Sequence, residues 1–180
     1  TIEQAKETGL FEKIVVSTDS ANIAEMARSF GAEAWFKRPQ ELSTDQAPKI
    51  PVIRHALIEA EAYYQSTFDV IIDLDVTSPL RLPADICDAY ERFIRENAEI
   101  LITGCDARRN PYFNVVEYND GHLNLVKGLH MRPACRQDAP QVYDMSSAVY
   151  IWKREILMGS DSLFSGKTSL FVMPPERSID

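Results

Sequence analysis

The sequence predicts an α/β domain built on a doubly wound, mostly parallel sheet, with a β-hairpin arm laid outside it. Three observations carry this. Strand-like and helix-like segments alternate along the chain. The run Val70-Ile71-Ile72 is apolar at consecutive positions, as in a strand covered on both faces. It then enters Asp73-Leu74-Asp75-Val76-Thr77-Ser78-Pro79-Leu80-Arg81, a polar loop at the carboxyl end of a strand, where open parallel sheets bind ligands.

In chain order, residues 2–10 read as the tail of an amphipathic helix ending at Gly9, and residues 13–17 as a buried strand. Thr18-Asp19-Ser20 offers an N-cap to a helix with Ile23, Met26, Ala27 and Phe30 on one face, closed by Gly31. Residues 32–36 follow as a strand, 37–48 as a polar loop, and about 50–65 as a long helix carrying Ile53, Leu57, Ala60 and Tyr64. Pro83 suits the first turn of a helix over 83–96 with Ile86, Tyr90, Phe93 and Ile94 inward. Residues 100–103 form the next strand. Residues 108–143 change character: two strand-like pieces flank Asn119-Asp120-Gly121, a strong hairpin signal, and a Pro- and Arg-bearing stretch follows. Segments 148–152 and 170–173 rejoin the sheet as late strands.

The chain of 180 residues, 45% apolar and 26% charged, suits one packed domain spanning 1–180. Its net charge of −8, with 27 acids against 19 bases and no basic run interleaved with aromatics, argues against a nucleic-acid partner. A small anionic ligand would then need a metal ion or a few aimed arginines. Cys87, Cys105 and Cys135 are odd in number and widely spaced, which fits reduced thiols in a cytoplasm. No apolar run reaches a membrane span and no signal-peptide pattern opens the chain, so a cytoplasmic protein without a membrane partner is expected.

Asp73-Leu74-Asp75-Val76-Thr77 fits the Asp-x-Asp-x-Thr opening of haloacid-dehalogenase-like phosphatases, with Thr103 as a stand-in for the second motif and Asp161 for the later acids. Two βα units precede it, however, and no acidic pair follows. A larger set points elsewhere. Val16-Ser17-Thr18-Asp19-Ser20, Arg38-Pro39-Gln40-Glu41-Leu42-Ser43-Thr44-Asp45, Thr77-Ser78-Pro79-Leu80-Arg81, Asn110-Pro111-Tyr112 and Glu176-Arg177-Ser178-Ile179-Asp180 together resemble the acylneuraminate cytidylyltransferases in identity, order and spacing. The resemblance covers essentially the whole chain.

It implies a nucleotide-diphospho-sugar transferase-like fold, Rossmann-like in its three layers. It also implies an enzyme that joins CMP from CTP to a nonulosonic sugar acid and releases pyrophosphate. The anomeric hydroxyl would attack the α-phosphorus in line, without a covalent enzyme intermediate. The family's opening strand and Gly-containing phosphate loop would lie just before Thr1, and a second aspartate two residues beyond Asp180, so activity of residues 1–180 alone is in question. By the same resemblance Asp180 would hold Mg2+, Arg38 would serve the nucleotide, and Arg136 would reach the sugar acid from the other subunit of a homodimer. Tyr150 and Phe164 would line the sugar pocket. The arm at 108–143 is the expected dimer contact.

The departures bear on the substrate. Asp75 stands where sialic acid enzymes carry Gln, Phe113 where they carry Lys, and Lys49 where a small hydroxyl residue is usual. An amide and a cation that would greet a sugar carboxylate have become an acid and a ring, which implies a legionaminic-type or related sugar acid. Asp75 could bind sugar hydroxyls, take a second metal, or help remove the hydroxyl proton. Other sugar nucleotidyltransferases and a non-catalytic truncated domain are the remaining alternatives. His55, His122 and His130 lack metal-ligand spacing, and Ser146-Ser147 lacks a nucleophile context.

Overall fold

The computed structural model describes residues 1–129, 133 and 135–179, so His130 and Asp180 lie outside the described residues. Among the described residues there are five α-helices: α1 (Ile2–Thr8), α2 (Ala21–Ser29), α3 (Lys49–Tyr64), α4 (Pro83–Arg95) and α5 (Arg154–Gly159). The strands are β1 (Val70–Asp73), β2 (Ile100–Asp106), β3 (Val116–Asn119), β4 (His122–Leu125), β5 (Tyr143–Lys153) and β6 (Thr168–Val172). The main sheet has the order β1-β5-β2-β6. β2 and β6 pair in parallel, while β5 lies antiparallel between β1 and β2, so three strands share one direction and β5 opposes them.

The alternation within β2 and β5 builds the layers. Ile100, Ile102, Tyr150 and Trp152 project to one face and pack with Ile53 and Leu57 of α3 and Leu157 of α5. Leu101, Val149 and Ile151 project to the other and meet Ile86, Ala89 and Phe93 of α4. Where the β2–β5 register shifts between Leu101 and Thr103, the buried Thr103 hydroxyl accepts from Val149 N at 3.0 Å and stands 3.1 Å from the Ser146 and Val149 carbonyls. It is a sheet-closing group.

Local chemistry explains the helix ends. Ser20 Oγ accepts from Ile23 N at 3.4 Å, and α2 closes with Gly31 at φ 85°, Gly31 N donating to Arg28 O and Ala32 N to Ala27 O, a paired C-terminal cap. Gly9 at φ 64° ends α1. In the hairpin Asp120 and Gly121 both take positive φ, 50° and 78°, the turn whose twist matches paired strands.

Several expectations are corrected. Residues 13–17 and 32–36 are extended but joined only by the parallel bridge Val15–Glu33, with Val16 N bonded to Glu33 O and Glu33 N to Ile14 O. β1 packs Ile71 on one core cluster and Val70 and Ile72 on the other, as a strand covered on both faces does, but among the described residues it pairs with β5 alone, it ends the sheet order, and all four of its residues are half-buried. Of the α2 face, Ala27 is buried while Ile23, Met26 and Phe30 are exposed, since they look onto a cavity between the 13–17 segment and β1. Ile94 is exposed because it sits one residue, about 100° of helix rotation, past Phe93. Ala89 takes the inward place instead, and α5 is an addition to the expected elements.

Candidate active site

The carboxyl end of β1 leads into the acid loop. Asp73 and Asp75 are two residues apart in extended chain and point to the same side, toward the first residue of α3. That residue is Lys49. Its Nζ stands 2.9 Å from Asp73 Oδ2 and 3.0 Å from Asp75 Oδ2, the latter with hydrogen-bond geometry, and 4.7 Å from the centre of the Tyr150 ring. Asp75 Oδ1 accepts from Thr77 N at 3.1 Å and from Thr77 Oγ1 at 3.0 Å. Both oxygens of Asp75 are thus engaged, and the loop folds as an aspartate-centred turn. Asp73 Oδ2 is buried and, among the described residues, receives no hydrogen bond beyond its ion pair with Lys49.

These surroundings split the two acids. Burial works to raise the Asp75 pKa, but the Thr77 amide and hydroxyl and the Lys49 ammonium outweigh it and bring it down to about 2. For Asp73 burial prevails over Lys49 and the pKa is raised. Burial also pulls at Lys49, yet the two carboxylates hold its pKa above the ordinary value. Asp75 is therefore a fixed anion and a weak base, suited to accepting hydrogen bonds from a ligand.

A cavity of about 1110 Å3 brings Arg38, Lys49, Asp73 and Asp75 together, with Ser17 and Thr44 on the same lining. Arg38 is tied to the end of the 13–17 segment: Nε donates to Ser17 Oγ at 3.2 Å and Nη2 to the Ser17 carbonyl. Three residues named from sequence, Arg38, Lys49 and Asp75, thus line one cavity, and Lys49 and Asp75 are bonded in it. Phe164 and Arg136 do not join them. Phe164 is exposed on a separate groove of about 550 Å3 with Arg109, Tyr143 and Met145, and Arg136 Nη2 donates to Ala107 O, on the lining of that same groove, at 3.1 Å. Tyr150 is a buried core aromatic, edge-on to Trp152 with ring centres 5.7 Å apart, and lends its face to Lys49.

The phosphatase alternative loses its stand-ins. Thr103 is fully buried within the sheet and Asp161 is an exposed partner of Arg54 at 2.7 Å. Among the described residues no three carboxylate, imidazole or thiol groups gather as a metal site, and Lys49 already stands as a shared counter-ion between the two acids. Sequence reasoning gave Asp73 a role only as the first acid of the phosphatase-like motif, and none to Gln4 or to the fully buried Arg81. The available signal was a carboxylate closing an otherwise apolar strand, and an arginine directly following Pro79-Leu80.

Residues 1–162 match the family model described as Cytidylyltransferase. The chain belongs to the cytidylyltransferase family. It is 46% identical over 180 residues to post-translational flagellin modification protein B of Campylobacter coli, covering 100% of this chain and 76% of that protein. It is 44% identical, with the same coverage, to the Campylobacter jejuni protein named CMP-N,N'-diacetyllegionaminic acid synthase. A solved structure, 4-diphosphocytidyl-2C-methyl-D-erythritol synthase from Anaerococcus prevotii, superposes with a TM-score of 0.64 over 99% of this chain and 80% of its own at 11% identity, which speaks to the fold alone. As a cytidylyltransferase the chain is read as a CTP-dependent nucleotidyltransferase of α/β fold, and its acid loop and facing cations mark the candidate active site.

Proposed function

We propose that this cytidylyltransferase joins CMP from CTP to an acylated nonulosonic acid of the legionaminic type and releases pyrophosphate. The observation that carries the reading is Lys49 bonded to the ionised Asp75 on a cavity that Arg38 also lines. A chain of net charge −8 that handles two anionic substrates needs local cations, and these two stand there. The relative named for N,N'-diacetyllegionaminic acid supports that sugar class.

In this reading the anomeric hydroxyl oxygen forms a bond to the α-phosphorus, the bond to the pyrophosphate oxygen breaks, and the hydroxyl proton is lost. Such displacement depends on alignment and on neutralised charge more than on a protein nucleophile. Arg38 faces the phosphates. Asp75, held ionised, accepts from sugar hydroxyl or amide donors, and Lys49 cancels enough of the acid pair's charge for a sugar carboxylate to approach. Phe164, on the second groove, and Arg136, bonded to its lining residue Ala107, are the sugar-side contacts carried over by family resemblance. Mg2+ would offset charge on the phosphates when bound. Its ligand in this reading, Asp180, lies outside the described residues, and the described residues do not by themselves form a metal site.

A cytoplasmic homodimer is part of the proposal. Among the described residues no helix is long and apolar enough to cross a membrane. The β3–β4 ribbon leaves Val116, Tyr118 and Leu123 exposed, Tyr118 at 80%, an apolar face suited to a second copy. The test of the function is pyrophosphate release measured over a panel of nucleoside triphosphates and sugar acids. Release confined to CTP with a nonulosonic acid supports it, and release with a sugar 1-phosphate instead contradicts it.

A further inference from the structure

Arg81 is fully buried, yet among the described residues it has no carboxylate within ion-pair distance. Taking a guanidinium out of water costs several kcal/mol unless its donors are well used. Here its terminal nitrogens are spent on oxygens that hold one loop. Nη1 donates to Asp75 O at 3.2 Å and to Ala148 O of β5, and Nη2 donates to Gln4 Oε1 at 3.3 Å. Gln4, on α1, returns its own amide to the same loop, to Pro79 O at 3.2 Å and to Arg81 O. Three carbonyls of the segment from Asp75 to Arg81 are therefore strapped to a helix and a central strand. The other end of Asp75, its carboxylate, is what Lys49 and Thr77 hold.

We propose that Gln4 and Arg81 are positioning residues that fix the backbone carbonyl of Asp75, and through it the aim of the Asp75 carboxylate into the cavity. The inference rests on the reading that Asp75 works at the active site. A hydrophobic residue could fill the volume of Arg81 but could not bind Asp75 O and Ala148 O at once, which accounts for a buried cation being kept there. Gln4 adds the link to α1, so this helix, which makes no hydrogen bond to the Asp75 carboxylate among the described residues, bears on the geometry of the acid loop.

A double-mutant cycle in the enzyme, following CTP-dependent pyrophosphate release and thermal unfolding together, tests it. Gln4→Leu lowers kcat about 10-fold and Arg81→Met about 100-fold, the scale of loss that a displaced active-site group produces. In an Asp75→Asn background Gln4→Leu costs nothing further in kcat, because the group it aims is gone. The shift in unfolding temperature caused by Gln4→Leu is the same in both backgrounds. Equal kcat losses for Gln4→Leu in the parent and in the Asp75→Asn background would overturn the inference while leaving the role of Asp75 intact. An Asp75→Asn enzyme with undiminished turnover would overturn both. Gln4 is partly exposed at one end of its network, so its variant reports even if Arg81→Met does not fold.

Discussion

Lys49 Nζ lies 3.0 Å from Asp75 Oδ2, so the first residue of α3 and the acid two residues beyond β1 are bonded to each other. Neither residue acts independently. An acid alone would repel an anionic sugar, and a lysine alone would lack the partners that now orient it. Replacing Lys49 by Met is expected to raise the Asp75 pKa from about 2 toward the ordinary carboxylate range, measured by carbon NMR of the carboxyl group. The same change raises KM for the sugar acid about 10-fold, the value of one charge-assisted hydrogen bond.

The two acids respond oppositely to pH. Asp73 has a folded pKa above its unfolded one, so its ionised form costs stability at pH 7, and that cost fades as pH falls through the folded pKa. Asp73→Asn therefore unfolds at a higher temperature than the parent at pH 7, and the difference shrinks on acidification. Asp75, whose folded pKa is lowered to about 2, contributes stability above its unfolded value that is lost as pH falls toward 2. Thermal unfolding scans from pH 7 to pH 3 check both, and an Asp73→Asn protein less stable than the parent at pH 7 would contradict the first.

Gly104 in β2 lies against β5 closely enough that an added Cβ would stand 2.6 Å from Asp144 O and 3.2 Å from Leu170 Cδ1. A backbone oxygen cannot step aside without breaking the ladder. Gly104→Ala is expected to destabilise the protein by about 1–3 kcal/mol in urea unfolding, as overpacked sites do.

The exposed face of the β3–β4 ribbon is predicted to bury itself in a homodimer. Sedimentation equilibrium of the parent reports twice the chain mass, and Tyr118→Asp with Leu123→Asp reports one chain mass at unchanged secondary structure. A parent of single mass would contradict the arm's role.

Much of the layered core was legible from periodicity. α3 and α4 carry their buried residues at helical spacing, and Val149/Ile151 against Tyr150/Trp152 alternate as a central strand must. The direction of β5 was not legible, because a strand covered on both faces has the same pattern whichever way it runs. Nor was the edge position of β1, since Val70-Ile71-Ile72 records apolar surroundings but not which element supplies them. At the site, the loop chemistry pointed to Asp75. The buried Arg81 could not be told from a solvated loop arginine, for its Nη1 acceptors are backbone carbonyls of β5 and its own loop, which leave no mark in sequence, and its Nη2 acceptor Gln4 lies 77 residues away along the chain. Tyr150 shows the same limit: an aromatic in a strand serves core and site alike.

The most direct test of the central claim, that the cations facing the acid loop serve CMP transfer to a nonulosonic acid, is pyrophosphate release with CTP and N,N'-diacetyllegionaminic acid, comparing the enzyme with its Asp75→Asn variant. The account predicts release that needs both substrates and falls about 100-fold in the variant. Release independent of the sugar acid, or unchanged in Asp75→Asn, would contradict it.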